Sequence, residues 1–295
     1  MNIHGPTRRG RLVITAILTL LAGITVPSTG QQADPLRVLS DTTAVQEIEL
    51  GDGTTLLGRI VRIDGDDISF RTLGGVDILF ERRDVRSVRK VRGQLYDGEF
   101  WPEDPSNSRL FLGPTARVPG HGHGYFGVYE LVVPSFGIGI GNVFMISGGF
   151  SALPGIALRD QVYYIAPKAQ VFNSEYVRGA VGLFWAKPGT NEESVGMAYS
   201  GLTAGTPRAS FSGGIAFPFG SRSGFSDNPL LMVGGEVRAT KRLKLITENW
   251  IAPSEGDAIL SLGFRIITSR LTVEVAVATT TEGGFLPLVN FSTAW

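Results

Sequence analysis

Leu271–Thr279 reads LTVEVAVAT, and its polarity alternates without a break. Leu271, Val273, Val275 and Val277 share one face, with Thr272, Glu274, Ala276 and Ala278 on the other. A period of two with one apolar face is the pattern of a β-strand. Small and charged residues opposite that face are what the lumen side of a membrane barrel carries. The preceding run, Ala258–Thr268, repeats the pattern, with Leu260, Leu262, Phe264 and Ile266 against Ser261, Gly263 and Arg265. In Leu231–Ala239, Leu231, Val233 and Val237 oppose Gly234, Glu236 and Arg238.

Outward from these runs the same reading gives about twelve strands, near 109–118, 124–139, 143–153, 161–172, 177–187, 194–205, 210–219, 230–239, 243–252, 258–268, 271–279 and 285–295. The links alternate. Those at 141–142, 173–176, 207–209, 240–242 and 269–270 are tight, while 119–122, 154–160, 188–193, 220–228, 253–257 and 280–284 are longer and polar or Gly/Pro-rich. Short turns on one side and longer loops on the other mark outer-membrane barrels. An even strand count puts both barrel ends on the tight-turn side. In the last strand, Phe285, Pro287, Val289, Phe291, Thr293 and Trp295 share one face. Phe291 and the closing Trp295 resemble the assembly signal of bacterial outer-membrane proteins. The expected fold is therefore all-β, a transmembrane up-and-down antiparallel barrel of about twelve strands at 109–295, with a secreted soluble β-sandwich as the alternative. Aromatics at run ends (Tyr125, Tyr163, Trp185, Phe217, Phe219, Trp250, Phe285 and Trp295) fit interface girdles.

The first 30 residues read as an address. Arg8, Arg9 and Arg11 precede the uncharged run Leu12–Val26, which is followed by Pro27 and small residues. The run is shorter than the roughly 20 residues of a spanning helix, so a secretory signal peptide is expected over 1–30. Residues 31–45 are polar and read as a linker. From 46 to 93, five short β runs alternate with tight turns such as Gly51-Asp52-Gly53 and Asp64-Gly65. Their order resembles SH3-like or Sm-like barrels, whose last two strands are joined by one helical turn. The basic cluster Arg82, Arg83, Arg86, Arg89, Lys90 and Arg92 is either a solvated strand face or a surface for an anionic periplasmic or cell-wall partner. Residues 94–108, with Trp101, Pro102 and Pro105, read as a connector.

Asn107–Arg117 (NSRLFLGPTAR), Gly122–Phe126 (GHGYF) and Val143–Phe150 (VFMISGGF) resemble segments of uncharacterised bacterial outer-membrane β-barrel proteins that carry a short β module before the barrel. The resemblance spans roughly residues 45–200. It implies a fold and an outer-membrane location, with the small module in the periplasm, and brings no activity.

Composition excludes several classes. The chain has 27 basic and 27 acidic residues, so it lacks the basic excess of a nucleic-acid binder. With no cysteine it has no disulfide or thiol chemistry. His121 and His123, expected in the first long loop, have no acidic third ligand beside them, and no G-x-S-x-G elbow occurs. No cofactor, metal or catalytic group is expected, and a hydrolase is the third choice. On the alternation, the lumen would hold Arg117, Glu130, Lys168, Arg178, Glu236, Arg238, Lys244, Glu248, Arg265 and Glu274. Two arrangements fit: a narrow, mildly basic pore for small solutes, or a plugged barrel in which these charges pair, serving a structural or anchoring role. The partners expected are membrane lipid and the outer-membrane assembly machinery.

Overall fold

The computed structural model describes residues 45–96, 99–189, 192–268 and 271–295. The signal-peptide reading of 1–30 and nearly all of the linker lie outside them. The chain divides into two compact units, one ending at Lys90 and one beginning at Val91.

The first unit is a five-stranded antiparallel sheet. Its strands are β1 (Gln46–Leu50), β2 (Thr55–Asp64), β3 (Asp67–Thr72), β4 (Asp77–Glu81) and β5 (Val85–Lys90), in the order β4-β3-β2-β1-β5. A 3-10 turn over Arg82–Asp84 joins β4 to β5. Asp52 accepts the amide of Thr54 at 2.8 Å, while Gly53 takes the left-handed φ of 87° that a side chain resists. Inward residues of alternating strands, Ile48, Ile60, Ile68, Phe70 and Phe80, make a closed apolar core. The basic cluster is largely engaged with acids of its own chain: Arg83 with Glu81 at 2.9 Å, Arg86 with Glu49 at 3.2 Å, and Arg89 with Glu47 at 2.6 Å.

The second unit begins with a hairpin, β6 (Gly93–Tyr96) and β7 (Glu99–Pro102), where the sequence suggested only a connector. After an irregular stretch come β8 (Gly124–Tyr129), β9 (Val133–Ile140), β10 (Phe144–Phe150), β11 (Tyr163–Asn173), β12 (Val177–Lys187), β13 (Val195–Gly205), β14 (Ala209–Gly220), β15 (Gly224–Phe225), β16 (Leu230–Arg238), β17 (Leu243–Ala252), β18 (Asp257–Ile267), β19 (Leu271–Thr280) and β20 (Phe285–Ala294). The two-residue β15 is appended to β14. The other twelve pair antiparallel with their neighbours, and β20 pairs with β8 to close the barrel. Two backbone hydrogen bonds between Gly124 and Trp295 finish that seam.

The strand count agrees with the sequence reading, but its composition differs. Residues 109–118 are not a wall strand; they fold into the lumen. The stretch 124–139 is two strands, β8 and β9, reversed at Glu130 and Leu131, whose φ values of 50° and 62° are positive. The two differences cancel in the count. They also move His121 and His123 from a long loop to the tight-turn end. There His121 Nδ1 accepts the amide of Gly141 at 3.0 Å, and His123 Nδ1 lies 3.3 Å from the Trp295 carbonyl.

Along each strand, burial follows the pleat. In β19 Thr272, Glu274, Ala276 and Ala278 are buried, whereas Leu271, Val275 and Val277 are exposed. The outward positions of the twelve strands are overwhelmingly apolar. Their one charged residue among those described is Lys187, at the long-loop end of β12. Of the aromatics assigned to girdles, Tyr163, Phe217, Phe285 and Trp295 are exposed outward, but Tyr125 and Trp250 face inward.

Candidate functional site

The lumen is filled from the tight-turn end. The β6–β7 hairpin lies against the turns at that end. Arg208 stacks over Tyr96 and Trp101 at 5.3 and 4.7 Å, Arg238 over Trp101 at 5.5 Å, and Lys241 approaches Glu99 at 4.0 Å. Residues 103–117 then enter the barrel and return as an irregular hairpin. An isolated bridge pairs Arg109 with Pro114, and the Leu110 amide donates to the Gly113 carbonyl at 2.8 Å.

The inserted segment is tied to the wall by one continuous chain of ion pairs. Arg117 meets Glu236 at 2.6 Å, and Glu236 meets Lys244 at 2.9 Å. Lys244 meets Asp104 at 2.5 Å, and Asp104 meets Arg265 at 2.7 Å. Arg265 meets Glu274 at 2.7 Å, and Glu274 meets Arg109 at 2.7 Å. All seven side chains are at least nine-tenths buried. A buried charge is tolerated only when paired and hydrogen-bonded. Here each acid sits between two bases, so the segment and the wall satisfy one another. Asp104, Arg109 and Arg117 come from the segment; Glu236, Lys244, Arg265 and Glu274 come from β16–β19.

Backbone groups of the irregular segment are satisfied by the wall too. Glu248 accepts the amides of Phe111 and Leu112 at 2.8 and 3.0 Å and the indole N–H of Trp250 at 2.8 Å. Thr203 accepts the Ala116 amide at 2.8 Å, and Gln170 donates to the Ala116 carbonyl at 2.7 Å. Lys168 Nζ donates to the Ser108 and Thr115 carbonyls at 2.7 and 2.9 Å. Apolar contact completes the seating. Leu110 and Phe111 are buried with Met232, Ile246, Ala276 and Leu288, and burying a Leu or Phe side chain contributes about 1.5–3 kcal/mol. Gly234 makes room for them, because a Cβ there would lie 2.4 Å from Leu110 Cδ1.

Of the ten lumen charges expected from the sequence, Arg117, Lys168, Glu236, Lys244, Glu248, Arg265 and Glu274 converge on the inserted segment, although Arg117 belongs to that segment and not to a wall strand. Arg238 stands apart at the tight-turn end, donating to the Lys241 carbonyl at 2.7 Å. Arg178 faces inward, half-buried, on β12. Glu130 lies in the β8–β9 turn, half-buried at the long-loop end. Phe291 and Trp295 point outward on the closing strand, and a Cβ at Gly124 would lie 2.6 Å from the Trp295 ring. The sequence reading missed Asp104 and Arg109. One signal was available: the ten expected charges held two more bases than acids, so a buried set called for a further acid.

Above the segment, a chamber of about 980 Å³ opens at the long-loop end. Its floor is formed by Ser108, Arg109, Leu112 and Pro114, and its wall is mainly aromatic and aliphatic. Among the described residues, no group of His, Asp and Glu has the arrangement of a metal site.

No protein-family model matches the chain. No curated protein is similar to it in sequence. Solved structures to which it is similar include the KdgM porin in complex with disordered oligogalacturonate, at 10% identity, TM-score 0.46, over 58% of this chain and 96% of that one. Others are the OmpT loop-L8 deletion mutant from Vibrio cholerae, at 12% identity, TM-score 0.33, over 85% and 96%, and the anion-selective porin from Comamonas acidovorans, at 10% identity, TM-score 0.31, over 85% and 96%. By its own geometry the chain is a closed twelve-stranded antiparallel β-barrel with a five-stranded sheet before it. Its lumen holds a folded segment of the same chain.

Proposed function

We propose that this protein is an integral outer-membrane barrel held shut by its own residues 103–117. In this reading the five-stranded unit is periplasmic and available for a partner. The membrane assignment rests on the outward face. Many side chains such as Leu202, Phe211, Leu260 and Leu262 are exposed there, with Lys187 at the long-loop end the one charge among the described residues, far more apolar surface than a soluble monomer shows. The lengths of β11–β20 other than β15, 9 to 12 residues, suit a tilted crossing. Tight turns then face the periplasm, the end at which the second unit begins. Phe291 and Trp295 are proposed as the contact for the assembly machinery.

The observation that carries the closed reading is the ion-pair chain from Arg117 to Arg109 through Asp104. It pairs three acids and four bases of the lumen with one another and so takes them out of reach of a passing solute. Planar-bilayer recording of the refolded protein tests this. A silent membrane is expected from the wild type, and steady single-channel steps from a chain lacking 103–117. Steady steps from the wild type would overturn the closed reading in favour of a narrow solute pore, which otherwise requires the segment to move.

A further inference from the structure

The chamber above the segment has a chemistry that a plugged anchor does not need. Its wall includes Tyr125, Tyr164, Phe184, Met197, Tyr199 and Trp250. Tyr164 is not free to greet a solute, since its hydroxyl donates to Ser135 at 2.7 Å. The volume, about 980 Å³, lies at the upper end of small-molecule sites, which run roughly 300–1,000 Å³. The floor, by contrast, is cationic. Lys168 and Arg109 both line it and are 4% and 6% exposed. Among the described residues Lys168 has no carboxylate partner; its Nζ meets only two backbone carbonyls, so one of its three N–H donors is unused. Arg109 is paired with Glu274, yet its Nη2 has no hydrogen-bond partner. Buried donors are ordinarily satisfied, and both side chains line the one chamber, with Lys168 held to the inserted segment through the Ser108 and Thr115 carbonyls. Glu248, the acid on the same floor, is already occupied by three donors.

We infer that the chamber binds a long-chain amphiphile with an anionic head, a fatty carboxylate, with its head at Lys168 and Arg109 and its tail along the aromatic wall. The mouth carries Glu130, Glu255, Asp257 and Glu282. The last three are exposed to water, where screening leaves them little reach. The floor cations act in a dry, low-dielectric site, where one charge-assisted hydrogen bond counts for more. Head-down entry of an anion is therefore favoured over a cationic head held at the mouth. This binding mode rests on the barrel being closed by residues 103–117, which supply the floor.

The test uses the full-length protein in phosphatidylcholine vesicles, with a fluorescent long-chain polyene carboxylate as probe. Saturable binding at one probe per barrel is expected, displaced by oleate and much less by oleyl alcohol or dodecyltrimethylammonium. Lys168→Met should weaken oleate roughly tenfold or more, the loss of one hydrogen bond to a charged group, and weaken oleyl alcohol much less. Met197→Trp, which fills the wall without touching the charges, should abolish binding of both. Equal affinity for oleate and oleyl alcohol, tighter binding of the cationic amphiphile, or full binding by Met197→Trp would each overturn the inference. A silent barrel that fails to bind oleate refutes the ligand alone, whereas a conducting wild type refutes the closed floor.

Discussion

Asp104→Asn should loosen the inserted segment without unfolding the barrel. The carboxylate bridges Lys244 at 2.5 Å and Arg265 at 2.7 Å, and all three side chains are buried. Removing one member of a buried ion pair costs roughly 3–5 kcal/mol. Each base keeps a second acid, Lys244 with Glu236 and Arg265 with Glu274, and asparagine keeps the shape and an acceptor. The low end applies, about 3 kcal/mol, or about a hundredfold in the ratio of seated to unseated segment. The absence of native cysteine provides the assay. Ala116 is 2% exposed in the segment, so a water-soluble maleimide labels Ala116→Cys only when the segment leaves its seat. In vesicles the labelling rate then reports the local opening equilibrium. The Asp104→Asn, Ala116→Cys chain should label about a hundred times faster than Ala116→Cys alone. A rise of less than about threefold, with the barrel still folded, would mean that the ionic chain does not hold the segment in place.

Other outcomes follow from the same geometry. Val275→Arg, on an outward face near mid-strand, should lower insertion by about 2–4 kcal/mol in a bilayer partitioning assay; no effect would mean that this face sees water. Cysteine at 275 should react with a lipid-soluble probe, while cysteine at 276, buried in one apolar cluster with Leu110 and Phe111, should resist both lipid-soluble and water-soluble reagents until the segment is deleted. A chain beginning at Val91 should refold in detergent to a heat-modifiable band, since the second unit has its own closed sheet; loss of that band would make the units interdependent. Gly58→Ala places a Cβ 2.1 Å from the Arg71 carbonyl oxygen, so residues 46–90 should become protease-sensitive, at a cost of about 1–3 kcal/mol or more, with the barrel intact. Trp295→Ser removes the ring that covers Gly124 at the closing seam and should reduce the protein in cellular outer membranes more than its refolding in detergent.

The alternation of Leu271–Thr279 is enough to place every one of its side chains, because a strand in a closed sheet has only two faces and its pleat has a period of two. The same logic places Arg265, Glu236 and Lys244 inside from the residue pattern alone. It fails at Asn107–Arg117. A segment inside a lumen is walled on all sides, so Leu110 and Phe111 are both buried although they are adjacent, and no periodicity marks such a chain as anything but a short apolar run. It fails again at Glu130-Leu131, where the reversal uses positive φ at residues with side chains and so lacks the Gly, Pro or Asn that announces a turn.

What the sequence by itself determined is therefore the local geometry: from 143 onward the strands, their faces and the ends at which turns are tight, and the small antiparallel unit before the barrel. These depend on residue spacing and turn chemistry within about ten residues. What only the tertiary structure decided is whether the lumen is open. That depends on Asp104 meeting Lys244 and Arg265, partners 140 and 161 residues away, and on Gly234 leaving space for Leu110. Complementarity of charge and volume across such separations leaves no local pattern, because each partner is an ordinary polar or small residue until the barrel closes around the segment.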